Sequence, residues 1–381
     1  MSDKNNQKTN LFTDKDNEES KKEILILDPH QAANFLFELS LGTQKDDVRK
    51  LEPMDCEALS LKSRENSRIL AAQMKREFLE KQKDLKPSLT TLSEFQEYFV
   101  FEEFEDSLTI KKVKDCLKDA YLNIYLKIPR MLNDKLICLP NNCSSLFTHC
   151  IGLKSLDLTD IIENTDITDI SYMFKECQSL ENLKFGNINT SRVTNMSGIF
   201  EDCYALKVVD LDNFDTSKVT DMSGMFKHCW HLKSVNLDNF NTSNVINMSE
   251  MFAFTSSLED INLSSFDTSN VKNMHAMFHD LRVSRIDLSN FNTLNVLDMS
   301  EMFRNSSLEV LDLSSFNTSN VVNMESMFWS CSKLVDLNIS SFNFSTDVNT
   351  SGMFLGCKEE ITPNWYKESE RLRLQKEFGL D

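Results

Sequence analysis

Ten cysteines and six histidines are the residues of this 381-residue chain with the most chemistry to offer: metal binding, thiol nucleophilicity or disulfide formation. Their spacing argues against all three. Cys150, Cys177, Cys203, Cys229, Cys331 and Cys357 each lie three residues after a phenylalanine that recurs every 25–27 residues. In the other units the same position holds Thr255, Leu281 or Ser306. A zinc site or an internal disulfide would need cysteines paired within a unit, as in C-x-x-C, and the chain has no such pair. A position that exchanges Cys for Thr, Leu or Ser wants a small buried side chain, so the thiols read as free core residues. The histidines are His30, His149, His228, His231, His275 and His279. His228 and His231 flank Cys229 and Trp230, but a short helix that turns Cys229 inward turns both imidazoles outward. His275 and His279 are four apart with no cysteine or third histidine beside them. The chain lacks a Gly-rich phosphate loop, H-E-x-x-H and G-x-S-x-G. The sequence therefore predicts a protein that is not an enzyme, with no catalytic residue, metal site, cofactor or disulfide.

The elements that carry these residues follow from the period. Its marker is Phe147, Phe174, Phe200, Phe226, Phe252, Phe278, Phe303, Phe328 and Phe354. Apolar residues alternate in Leu156/Leu158, Leu183/Phe185, Val209/Leu211, Val235/Leu237, Ile261/Leu263, Ile286/Leu288, Leu311/Leu313 and Leu337/Ile339. Period-two alternation marks a half-buried strand. A second apolar pair, such as Val219/Met222, has the spacing of a bent segment. Ser197, Ser223, Ser249 and Ser300 stand where N-caps would, and Met225, Phe226, Cys229 and Leu232 fall at roughly helical spacing. Each unit reads as strand, turn and short helix. Thr190, Thr216, Thr242, Thr268, Thr293 and Thr318 each follow an Asn or Asp. A stacked hydroxyl can bond the neighbouring turn while the Asx side chain closes its own, and without a Gly-rich ligand loop this column is structural rather than calcium-binding.

The expected fold class is an α/β solenoid: about nine tandem leucine-rich-type repeats of parallel short strands and short helices over 146–358, preceded by a small all-α domain. Residues 1–22 read as a disordered polar tail, 23–128 as the helical domain, 129–145 as a linker or N-terminal cap, and 359–381 as a C-terminal capping helix. Within 23–128, Thr91 with Glu94 forms a capping-box pattern ahead of EFQEYFVFEEF, and Ile110, Val113, Leu117, Tyr121 and Ile124 share one helical face.

The string LDLSSFNTSNVVNMESMFWSCSKL, residues 311–334, closely resembles the roughly 26-residue repeat of the BspA-like leucine-rich-repeat family. The resemblance spans about residues 146–357. It implies a solenoid and, commonly, an adhesive or protein-binding role at a bacterial surface. Many members of that family carry a signal peptide or lipoprotein anchor. Neither is visible here, so the residues point to a cytoplasmic chain by default, and the resemblance to a surface or secreted one exported by a non-classical route.

A net charge of −18 disfavours wrapping nucleic acid, which needs clustered Lys and Arg, and no run of residues is apolar enough to span a membrane. The expected partner is a protein, with a glycan as the lesser alternative. Two sets of residues could bind it. One is the outward column of the strands: Lys184, Asp210, Asn236, Asn262, Asp287, Asp312 and Asn338, a polar and mildly acidic stripe. The other is large aromatics at variable positions: Tyr204, Trp230, Phe254 and Trp329, residue types enriched at binding hot spots. An alternative puts an effector or enzymatic activity in 23–128 and leaves the repeats to choose the target.

Overall fold

A computed structural model describes residues 89–118, 123–161, 166–344, 347–358 and 364–365. The expected polar tail, the helices before residue 89 and nearly all of the C-terminal capping segment lie outside the described residues.

The repeats wind into a parallel β-solenoid of about eight turns. Its winding rests on a backbone pattern seen clearly at 224–229. The N–H groups of Gly224, Phe226 and His228 donate to the carbonyls of Ser249, Met251 and Ala253 on the next turn, at 2.8, 2.9 and 2.9 Å. The residues between them bond locally: Lys227 to Gly224 at 3.0 Å and Cys229 to Phe226 at 3.1 Å. An α-helix would direct each N–H to its own i−4 carbonyl and leave none for the neighbouring turn. The short helix expected in each repeat is accordingly replaced by a run of tight turns. Left-handed residues punctuate it every fourth position, as at Gly224 (φ 60°), His228 (φ 58°), Glu250 (φ 57°) and Phe254 (φ 60°). Each such residue breaks the right-handed helical path.

Ser197, Ser223, Ser249 and Ser300 therefore cap no helix. Their backbone N–H groups donate to the side chains of Asn195, Asp221, Asn247 and Asp298 at 2.8–3.1 Å, closing Asx turns. Those Asx residues belong to a column of eight successive parallel bridges that runs from Asn142 to Asn349.

Alongside buried leucine, valine and methionine columns, three further columns in the interior link turn to turn. The nine marker phenylalanines stack ring on ring, with centroids 5.3–6.1 Å apart and planes within 17° of parallel. Aromatic pairs so offset contribute about 0.5–1.5 kcal/mol each beyond the area they bury. The second column is the threonines. Each hydroxyl, from Thr190 to Thr318, accepts the N–H of the Asx residue one turn on at 2.7–2.8 Å. The same hydroxyls donate to that residue's carbonyl at 2.9–3.4 Å. The ladder expected from the sequence is present, and it ends where Phe344 follows Asn343 in place of a threonine. The third column is the cysteines. Cys177, Cys203, Cys229, Cys331 and Cys357 direct their thiols at the marker-phenylalanine carbonyl of the preceding turn, at 3.0–3.2 Å. The nine described cysteines are free thiols, and burial pushes the Cys203 and Cys229 thiols up, away from the reactive thiolate.

Strands form at both ends of the array. The strand β3 (Ile124–Lys127) pairs in parallel with β6 (Leu153–Asp157), and β6 with β7 (Asn182–Lys184). At the other end β8 (Val310–Asp312), β9 (Asp336–Ile339) and β10 (Asn364–Trp365) make a second parallel sheet. Residues 364–365 are thus strand, where the capping helix was expected.

The described part of 23–128 is not all-α. The helix α1 (Leu92–Tyr98) starts at the Thr91–Glu94 capping box, as the sequence indicates, but it stops at Tyr98. Alternating aromatic and β-branched residues carry the chain on as β1 (Phe99–Glu103), antiparallel to β2 (Ser107–Val113). Ile110 and Val113 lie in β2, Leu117 in a 3-10 turn and Ile124 in β3, so the expected helical face is divided among three elements; Tyr121 lies outside the described residues. Within 129–145, β4 (Met131–Leu132) and β5 (Lys135–Cys138) form a hairpin through left-handed Asn133 and Asp134, and the sheet runs β1-β2-β5-β4. The Phe99 ring meets Phe147 edge-on at 6.4 Å, joining this sheet to the first marker ring. No helix among the described residues is long and apolar enough to cross a membrane.

Two outcomes are expected. Thr268→Val keeps the shape but removes both ladder bonds that the buried Thr268 hydroxyl makes to the Asn292 backbone, and should cost about 1–2 kcal/mol in chemical denaturation. Ser269→Ala keeps its backbone bond to Asp267 and should change stability by only a few tenths. Equal losses would remove the hydroxyl ladder from the account of stability. Thiol labelling of the native protein should modify part-exposed Cys116 well before buried Cys203 and Cys229, as read by mass spectrometry of timed digests.

Candidate binding surface

The turn segments that follow each marker phenylalanine carry the outward aromatic residues. Four of them form one ribbon across successive turns. The Tyr204 and Trp230 rings stack at 4.2 Å and 9°. Trp230 meets the His228 imidazole edge-on at 6.3 Å, and His228 lies 4.6 Å from Phe254. Phe254 in turn lies 4.5 Å from His279. His279 Nδ1 stands 3.5 Å from Glu301, Glu301 lies 3.3 Å from Arg304, and the Arg304 guanidinium lies over the Trp329 ring at 4.4 Å. All four aromatics are half-buried, so each ring shows part of its surface to solvent while its neighbours hold it in place. Further along the array, Tyr172 lies over Gly198, where a Cβ would come within 2.4 Å of the ring; Gly198 is also left-handed (φ 56°), so both sterics and backbone call for glycine.

The ribbon is charged as well as aromatic. His228 Nδ1 is 2.7 Å from Asp202, Lys175 is 3.0 Å from Glu201 and Lys227 is 2.8 Å from Glu250, each pair joining two turns. Burial raises the Asp202 carboxyl, but His228 and Lys175 outweigh it and hold it below the usual range. Burial lowers His279 to about 3, with Arg304 adding repulsion. Burial raises neighbouring Asp280 to about 6 although Arg282 and Asn305 both bond it at 2.5 Å. Among the described residues no group of three or more His, Cys, Asp or Glu is placed to hold a metal ion.

The outward strand column lies on a different segment of each turn. Lys184 sits 3.6 Å from Asp157. The Oδ1 atoms of Asp210, Asn236, Asn262, Asp287, Asp312 and Asn338 each accept the N–H two residues on, at 2.9–3.2 Å. Asn236 and Asn262 also donate to Asp212 and Asp238 of the preceding turn. These side chains close turns, which leaves less of them for a partner.

Sequence reasoning named the four ribbon aromatics, weighed the linking His228 and His279 only as metal ligands, and did not single out Glu301 or Arg304. Tyr204 and Trp230 share one position in their repeats, a signal that pairs them; Phe254 and Trp329 occupy two others, so no single column displays the whole ribbon. It also missed Ile246, Leu297 and Val322, exposed by 44, 45 and 59% beside the buried valine column.

A solenoid of tandem turns with a preorganised aromatic and ionic face is the class of protein that this geometry defines. The chain belongs to the family described as Mycoplasma protein of unknown function, DUF285, whose model matches residues 141–260, 207–307 and 255–365, together more than half of the chain. Among solved structures it is similar to a leucine-rich repeat protein from Bacteroides ovatus, at 14% identity and a TM-score of 0.41 over 68% of each chain. It is also similar to a leucine-rich repeat protein from T. pallidum, at 14% identity and a TM-score of 0.29 over 48% of this chain and 86% of that one. No curated protein matches.

The paired titrations of His279 and Asp280 make a testable pH signature. Between pH 6.5 and about 3 the unfolded state protonates His279 while the folded state does not, so acidification costs stability there. Between pH 6 and 3.8 the folded state protonates Asp280 while the unfolded state does not, so acidification restores stability. The two oppose each other from pH 6 to 3.8. Asp280→Asn should therefore lose stability steadily as pH falls below 6.5, where the parent protein is flatter, in urea titrations across that range. Parallel profiles would refute the assignment.

Proposed function

We propose that this protein is a non-enzymatic protein-binding module whose solenoid presents the ribbon from Tyr204 to Trp329 to its partner. The observation that carries the reading is the stacking of outward aromatic side chains over successive turns. Rings already held by neighbouring rings and ion pairs lose little freedom on binding, and large aromatic faces supply contact area at low entropic cost. Resemblance to the BspA-like repeat supports an adhesive form of this function at a cell surface. The strand column remains the second candidate face, weakened by the turn-closing duties of its side chains.

The test is a pull-down with the full chain and with Trp230→Ala and Trp329→Ala, singly and together, after circular dichroism confirms the fold. The double variant should lose its main partner or bind it at least about tenfold more weakly, as loss of hot-spot rings does. An unchanged partner set would reject the ribbon as the binding face. Protease treatment of intact cells separates the adhesive form from an internal one: a surface adhesin is cleaved, an internal module is protected.

A further inference from the structure

Two places on the turn face hold a cation between an aromatic ring and a carboxylate. The Arg304 guanidinium lies 4.4 Å over the Trp329 ring and 3.3 Å from Glu301. The Lys175 ammonium lies 5.3 Å from the Tyr172 ring centre and 3.0 Å from Glu201. These are the two cation–ring contacts among the described residues, and each draws on more than one turn. The Tyr204–Trp230 stack offers a third set of the same parts. It has two parallel rings, with the carboxylates Asp202 and Glu176 close enough that, after burial, their charges help push the Tyr204 phenol up to about 12. The groups that bond these two carboxylates are imidazoles rather than a guanidinium or ammonium; Lys175, bonded to Glu201, acts on Asp202 and Glu176 without pairing with either. His228 bonds Asp202 at 2.7 Å and meets Trp230 edge-on, His149 lies 3.0 Å from Glu176, and His231 Nδ1 lies 2.7 Å from the Tyr204 carbonyl oxygen. An imidazole, unlike a guanidinium, is not a fixed charge and does not present a flat five-donor fork.

We infer that the Tyr204–Trp230 platform, rimmed by Asp202 and Glu176, is a docking site for a guanidinium or ammonium side chain on a basic segment of a partner protein. This deepens the binding reading above and rests on it. Charge favours that partner twice. A chain of net charge −18 draws a basic segment from a distance, and the local carboxylates then fix one cation against the ring faces. Arginine suits the site better than lysine, because its plane can lie flat on the stack while its edge reaches a carboxylate.

Fluorescence anisotropy at low ionic strength tests the site with a labelled Arg-Gly octapeptide as probe and Lys-Gly and Glu-Gly octapeptides as comparisons. The full chain should bind the arginine peptide most tightly, the lysine peptide more weakly and the glutamate peptide not at all. Trp230→Leu and Asp202→Asn should each weaken arginine-peptide binding by about tenfold. Tyr125→Leu, which removes an exposed ring of β3 outside the ribbon, should change it by less than about twofold on the same scale. Tyr204→Leu stands in for Asp202→Asn should that variant misfold. Absence of binding by the full chain, or equal affinity in Trp230→Leu, overturns the proposal. If Trp230→Ala loses the pulled-down partner while the full chain ignores the arginine peptide, the cation chemistry fails and the binding face stands. If the peptide binds as inferred while the pull-down is unchanged, the cation site stands and the ribbon as main binding face fails.

Discussion

Alternate backbone N–H groups in the turn segments reach a carbonyl of the following turn, and the rest of the molecule is arranged around that requirement. The bond pattern advances two residues at a time, so a slip of one residue would exchange donors with turn-closing groups and turn core side chains outward. Chain length is correspondingly rigid where the pattern runs. From each ladder threonine to its marker phenylalanine the count is ten residues in all six units that have both. The variation between 25- and 26-residue units falls after the marker, on the way to the next strand. That is the stretch in which Tyr204 and Trp230 lie. Freedom in length and freedom in surface chemistry thus coincide.

Much of this organisation is readable from the residues alone, because a column repeated in many units reports its own burial. Marker phenylalanines, thiols and ladder threonines all declared their roles in that way. Backbone path is another matter. Met225, Phe226, Cys229 and Leu232 point inward at intervals of one and three residues, much as they would on a helix. Here that spacing is produced by four-residue turns with left-handed corners. Hydrophobic spacing records which side chains face the core and does not record the hand of the path between them. The same ambiguity broke up the helix expected over 110–124, where Leu108 and Ile110 alternate along a strand instead.

The surface was harder to read, for a related reason. Columns expose what every turn shares, and the ribbon is built from what each turn has alone. Phe254 lies between two imidazoles only because His228 and His279 occupy different positions on the turns to either side. Contacts of this kind become visible once the turns are stacked. They also separate two sets of side chains: those that repeat hold the turns together, and those that do not make up the ribbon proposed as the binding face. A substitution in the ribbon leaves the hydroxyl ladder and the ring stack intact.

Phe344 gives the array a terminus with a chemical sense. Each ladder hydroxyl engages both backbone groups of the residue beyond it, so the ladder is directional and the last threonine would hand on to a successor indefinitely. Thr318 closes on Asn343, and the buried phenyl group that follows brings no hydroxyl to offer. Stacked parallel turns share their geometry with fibrils, and here one change of side chain ends the hydroxyl rail while the backbone pairing goes on to Asn349 and β10.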